Sequence, residues 1–394
     1  MAPLSGITVI EAGSYVAIPF AGQLLADLGA DVIKIERPGG DPYRGGGADN
    51  YRASFRAVNR SKKSVIIDIG KPEGKQIFRK LGAKADVVIE NNRAGYMDKL
   101  GLGFEELSKL NARLVYCSVT GFGTSGPYRD RPSFDTVGQA MSGLLSLYLD
   151  PESPRLAGAA IADQVTAMYA CYGTLAGLMQ RERTGRGCRV ETSMLAAGLS
   201  FSEMWFTSYK SDKVVPGMYE RSSASQSFAF RASDAKLLVV HLSSRPKFWE
   251  SLLVALEAPH LAGDPRFSAR PERVRNYEAL RDELASIVGR RPRSHWMTVL
   301  ADNGVPFAPV YSFDELESDP QVQHMDLFQE LKHPGAEPTA MVKRPVRIDG
   351  DTGSSQAFAP PLMGEHTNEV LKEFGYAEAE LDALEKSEVI KRRT

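Results

Sequence analysis

GITVIEAGSYVAIPFAGQLLADLGADVIKIE, residues 6–36, decides the fold. GITVIEAG (6–13) is an apolar strand, Pro19 to Gly29 carries a helical pattern, and DVIKIE (31–36) is a second strand. Strands that are continuous Val/Ile runs rather than alternating ones are buried on both faces, and a helix between two of them makes a parallel crossover. The pattern continues outward. SVIIDI (64–69) is a third strand, PEGKQIFRKLG a helix opened by Pro72, ADVVIEN (85–91) a fourth strand and ARLVYCSV (112–119) a fifth. The expected class is α/β, a parallel sheet with helices on both faces.

A second region spans roughly 215–325. FAFRASDAKLLVVHL (228–242) reads as two strands and a turn, and RPKFWESLLVAL and YEALRDELASIV read as helices. The tail from about 330 is rich in Pro and Gly and ends in a charged helix.

The 394 residues, 43% hydrophobic and 25% charged, are ordinary for a globular protein of two domains or more. A formal charge of −1 gives no general attraction to nucleic acid or to an anionic membrane. No apolar run reaches the roughly 18 residues of a membrane span, and the N-terminus does not read as a signal peptide. Cys117, Cys171 and Cys188 are far apart, with no CxxC, and the 6 histidines form no HExxH, so no metal site is expected. A reducing cytoplasm is the natural setting.

Three stretches invite a chemical reading. GFGTSG (121–126) fits GxGxxG, but PYRDRPSFD follows it, and two prolines there deny the dinucleotide its helix N-terminus. Between Tyr43 and Lys63 lie Arg44, Arg52, Arg56, Arg60, Lys62 and Lys63. They form either a solvated face or a groove for a multiply phosphorylated ligand. In LAGAAIADQVTAMYA (156–170) one carboxylate, Asp163, stands among small apolar residues, just before a helical pattern expected from Gln164. It reads as a helix N-cap, as a catalytic group, or as both.

In order along the chain come LSGITVIEAG, FAGQLLADLGADVIKIERPGGDPYR, NRSKKSVIIDIGKPEGK, ADVVIENNRAGYMDKLGLGFEEL, SVTGFGTSGPYRDRPSFDTVGQAMSGL, RERTGRGCRVETSML, GDPRF, NGVPFAPV and APPLMGEHTNEVLKEFGY. Together they resemble the class III CoA-transferases, the CaiB/BaiF family, nearly end to end. The resemblance implies a Rossmann-like large domain, residues 1–205 completed by 330–394, and a smaller α+β domain at 215–325. Linkers near 205–220 and 325–335 would thread two chains into an interlocked homodimer.

The resemblance also implies roles. Asp163 matches the nucleophile that becomes acylated. Tyr15, Val16 and Ala17 match the loop along the CoA thiol arm. Arg37 matches a residue at the adenosine phosphates, and Ile67, Asp68, Ile69 and Lys71 a segment around the adenine. Asn91, Asn92 and Arg93 match a block along the pantetheine and pyrophosphate, with Lys99 a basic residue beside it. Asp135 matches an acidic residue close to the nucleophile. Ala167 and Asn92 depart from the usual glycine and aromatic, and RSSASQSFAF (221–230) lacks the glycine-rich loop of formyl-CoA transferases.

The implied activity is acyl-CoA:carboxylate CoA transfer through a covalent aspartyl intermediate, with no cofactor beyond the CoA thioester. A related 2-methylacyl-CoA racemase would carry a histidine where Phe134 stands, and a non-catalytic acyl-CoA binding protein would not need Asp163. Arg44 and Arg52, as cations left over from CoA binding, are candidates to hold a distal carboxylate. That favours succinyl-CoA as donor and a C4–C5 dicarboxylate such as itaconate, mesaconate, malate or citramalate as acceptor.

Overall fold

The computed structural model describes residues 2–45 and 51–393. These fall into two compact units, one built from Met1–Leu145, Leu156–Ser211 and Leu327–Thr394, the other from Ser146–Arg155 and Asp212–Asp326.

The larger unit holds the strands β1 (Thr8–Ala12), β2 (Asp31–Glu36), β3 (Lys62–Ile67), β4 (Val87–Glu90), β5 (Val115–Thr120) and β6 (Cys188–Ser193). All neighbours among these six pair in parallel. Adjacent residues of a strand point to opposite faces, so each Val/Ile pair feeds two cores. Ile10, Ile33 and Val88 pack with Ile77, Phe78 and Leu81 of helix Pro72–Lys84. Val9, Val32 and Val87 pack on the other face with Ile18 and Leu25 of helix Ala17–Ala26 and with Ala167 and Ala170 of helix Ile161–Thr184. The parallel α/β architecture read from the sequence is the one observed.

The smaller unit carries β7 (Ser227–Arg231), β8 (Leu237–His241) and β9 (Phe307–Val310) in one antiparallel sheet. Phe228, Phe230, Leu238 and Val240 pack there against Trp249, Leu252, Leu280 and Leu284.

The tail carries strands that its Pro- and Gly-rich composition does not announce. β10 (Phe328–His333) and β11 (Ala336–Val342) form an antiparallel hairpin across Pro334 and Gly335. The charged end is two helices, Thr367–Glu373 and Glu378–Lys386, followed by β12 (Ile390–Lys391), which pairs antiparallel with β3. The complete sheet order is β12-β3-β2-β1-β4-β5-β6. The chain runs outward from β1 through β2 to β3, then returns to β1's other side at β4. That reversal opens a crevice beyond the carboxyl ends of β1 and β4, where ligands bind in open α/β sheets.

Candidate active site

β1 is followed by Gly13, where a Cβ would lie 2.1 Å from Ile18 Cγ2, so only glycine lets the chain turn into helix Ala17–Ala26. The loop between them is clamped from both sides. The Ser14 N–H donates to Asn91 Oδ1 at 3.0 Å, and Asn91 Nδ2 donates to the Ser14 carbonyl at 2.9 Å. The Tyr15 N–H donates to Asp41 Oδ1 at 3.2 Å. Tyr15 sits at φ +65°, a left-handed conformation that a bulky residue adopts at a cost. Asp41 in turn pairs with buried Lys34 at 2.8 Å, and Lys34 with Glu11 at 2.9 Å. This fixed loop presents the Tyr15 ring edge-to-face to Phe134, centroids 5.5 Å apart, and to Tyr43 at 6.1 Å.

Asp163 corrects the capping expectation. The helix starts at Ile161, three residues before the expected Gln164, with Ala160 at the N-cap, and Asp163 lies inside the first turn. Its backbone N–H donates to Asp135 Oδ1 at 3.1 Å, and Gln139 Nε2 holds Asp135 Oδ2 at 2.6 Å. Among its small neighbours the carboxyl is half-buried. Burial, and secondarily the charge of Asp135, push it up to about 7. A carboxylate so poorly solvated is a better nucleophile than one in water.

Asp163 lines a cavity of about 290 Å³ with Tyr15, Val16, Ala17, Asn91, Asn92 and Arg93. A second cavity of about 660 Å³ holds Arg37, Ile67, Asp68 and Ile69. Ser14, Tyr15, Asn92 and Arg93 line both, so the two share a wall at the crevice. The structure thus brings eleven of the named residues onto one cleft. Asn92 is braced there by Glu90, which burial pushes up to about 7. Asp135 stands behind Asp163 and orients its backbone.

Four predicted residues lie elsewhere. Lys71 donates to the carbonyls of Ser387 and Glu388, and exposed Lys99 lies on helix Tyr96–Leu100; neither lines these cavities. Arg44 is 1% exposed, paired with Glu36 at 2.6 Å and stacked over Phe55, so it is a structural cation with no reach to a substrate. Arg52 is exposed beside helix Ala53–Arg56 and lines neither cavity. Three more cations of the basic stretch are committed like Arg44. Arg60 pairs with Asp27, Lys62 with Glu11, and Lys63 with Asp31, Glu369 and Glu373. Sequence reasoning passed over two other cations of the first cavity, Arg129 and Arg131. Their signal was GPYRDRPS, which was read for its prolines and for the family resemblance but not for its two arginines.

A half-buried carboxylate in the switch-point crevice of an α/β sheet is an arrangement that can serve nucleophilic group transfer. The sequence profile described as CoA-transferase family III matches residues 4–367, and the chain belongs to that family. It is 32% identical to the succinyl-CoA:glutarate CoA-transferase of Mus musculus, over 100% of this chain and 91% of that protein. It is 33% identical to the succinyl-CoA:mesaconate CoA-transferase of Haloarcula hispanica, over 95% of this chain and 97% of that one. A solved CAIB/BAIF family protein from Brucella suis superposes with a TM-score of 0.83 at 30% identity, covering 95% of this chain and 99% of the other.

Proposed function

We propose that this CoA-transferase moves CoA from succinyl-CoA to a C4–C5 dicarboxylate through a covalent intermediate on Asp163. The observation that carries the reading is Asp163 itself, a carboxyl raised to about 7 in a cavity walled by the clamped Tyr15 loop. The CoA chain enters along Arg37 and the Ile67–Ile69 segment, and its thioester reaches Asp163 past Asn92 and Arg93. A carboxylate oxygen of Asp163 attacks the thioester carbonyl, CoA leaves as thiolate, and a mixed anhydride remains. The thiolate then attacks the Asp163 carbonyl, releasing the donor acid and leaving an aspartyl-CoA thioester. The acceptor carboxylate displaces CoA from it, and CoA returns to the acceptor's carbonyl, freeing Asp163. Each step exchanges one activated acyl bond for another, so no cofactor beyond the thioester is required. Phe134 offers no base, and no histidine is among the described residues lining the first cavity, which counts against proton abstraction from a carbon acid.

The substrate class rests on the relatives, whose names pair succinyl-CoA with glutarate or mesaconate. Arg44, Arg60, Lys62 and Lys63 of the basic stretch are paired within the fold and do not contribute to it. The proposal includes a homodimer interlocked through segments near 205–220 and 325–335. Exposed Met168, Tyr172, Met179, Phe201, Met204 and Phe206 support a covering second chain. The free thiols of Cys117, Cys171 and Cys188 are in keeping with a cytoplasmic setting. No helix among the described residues is long and apolar enough to cross a membrane.

The test is a panel of acyl-CoA donors against carboxylate acceptors, read by mass spectrometry. Succinyl-CoA with a C4–C5 dicarboxylate is expected to give the new thioester at the highest kcat/KM. Equal or better turnover of butyryl-CoA would remove the dicarboxylate reading. Hydrolysis without transfer would remove the transferase reading.

A further inference from the structure

Resting on the proposed function, the layout of the cleft separates two groups of cations. Arg37 lies in the larger cavity and Arg93 on the shared wall, along the path of the CoA phosphates and pantetheine. Arg129 and Arg131 line the smaller cavity and are absent from the larger one. A thioester that reaches Asp163 from the larger cavity therefore carries its acyl group onward, into the space these two arginines border.

Both guanidinium groups are poised rather than consumed. Arg131 lies 3.8 Å over the Tyr128 ring, a stack that fixes the plane of the fork and leaves its edge donors open. Among the described residues no carboxylate pairs with it. Arg129 reaches the Ala94 carbonyl only at 3.4 Å and Asp130 only at 4.0 Å, so it is weakly held. The loop bearing them runs into Asp135, whose Oδ1 accepts the Asp163 N–H. The Arg131 N–H donates to the Tyr128 carbonyl at 3.0 Å, and Ser133 and Phe134 lead directly into Asp135.

We propose that Arg129 and Arg131 are the specificity-determining residues of this enzyme, gripping the free distal carboxylate of a dicarboxylic acyl group while its other end is bonded to CoA or to Asp163. A planar fork can offer that carboxylate two parallel hydrogen bonds, and a stacked fork loses little freedom in doing so. The same grip serves donor and acceptor, because each occupies this space in turn.

The test compares succinyl-CoA with butyryl-CoA, which replaces the distal carboxylate by a methyl group, both with acetate as an acceptor that has no distal carboxylate, in wild type, Arg129→Met, Arg131→Met and Arg131→Lys. The expected result is a loss of kcat/KM for succinyl-CoA of about 10-fold or more in each Met variant, with butyryl-CoA unchanged or improved. Arg131→Lys is expected to recover part of the loss, since charge returns without the fork. Turnover of butyryl-CoA doubles as the check that each variant is folded and acylated. An equal fall for both thioesters would assign the arginines to CoA or to the loop and overturn the inference. So would a wild-type preference for succinyl-CoA that survives in both Met variants. A wild type indifferent to the distal carboxylate overturns the dicarboxylate reading itself, and the inference with it.

Discussion

Asp163 with a carboxyl near 7 is protonated in a large fraction of molecules at neutral pH, and only the carboxylate attacks. The raised value means that proton loss is delayed, so kcat/KM is expected to climb with pH through about 7 and then level off. Asp135→Asn removes the secondary, charge-based cause and leaves burial, so the midpoint is expected to fall by about one unit or less. A pH–rate profile flat through that region would contradict the assignment. Asp163 could be found in the sequence because a lone carboxylate among alanines is conspicuous. Its position within the helix could not, because Ile161 and Ala162 enter the helix without a side-chain cap to mark the start. The basic stretch misled for a related reason. Arg44 finds Glu36 and Arg60 finds Asp27 only through the fold, and no local pattern shows that a cation is already paired.

At the scale of elements, β1, β2 and β3 carry a chain of buried charge beneath the cleft. Glu11 takes Lys34 on one oxygen at 2.9 Å and Lys62 on the other at 2.8 Å, and Lys34 goes on to Asp41. Burial pushes Lys62 down to about 8, whereas for Lys34 the attraction of Glu11, Asp41 and Glu36 outweighs burial and holds it up. Lys34→Met would strand Asp41 without its cation under the Tyr15 loop. A loss of about 3–5 kcal/mol is expected, seen as a Tm lower by roughly 5–9 °C. Lys63→Met, next to Lys62 but facing partly exposed carboxylates, is expected to cost under about 1 kcal/mol. Equal Tm values for the two variants would contradict the structural role given to the network. The strands of this layer were legible because burial on both faces demands unbroken Val/Ile runs. β6 was not, since CRVETS lies at the sheet edge with alternate residues outward, and neither was the β10–β11 hairpin, whose FQELKH and AEPTAMV are mostly polar or exposed.

At the scale of the whole molecule, the α/β class was legible from the repeating strand–helix pattern, and the family from motifs spread along the chain. The hairpin tail was not, because its pairing is local and its sequence carries no strong strand signal. Two interlocked chains could not part without unfolding, so light scattering on serial dilution is expected to show a dimer at every concentration that still shows activity. A folded, active monomer would contradict the proposed assembly. The central claim, that the acyl group passes through Asp163, is met most directly by the intact mass of the whole chain mixed with succinyl-CoA without acceptor, followed by hydroxylamine and peptide mapping. The expected result is an adduct of the succinyl or CoA group, converted by hydroxylamine to a hydroxamate on Asp163 and missing from Asp163→Asn. An adduct on another residue, or full transfer activity in Asp163→Asn, would contradict it.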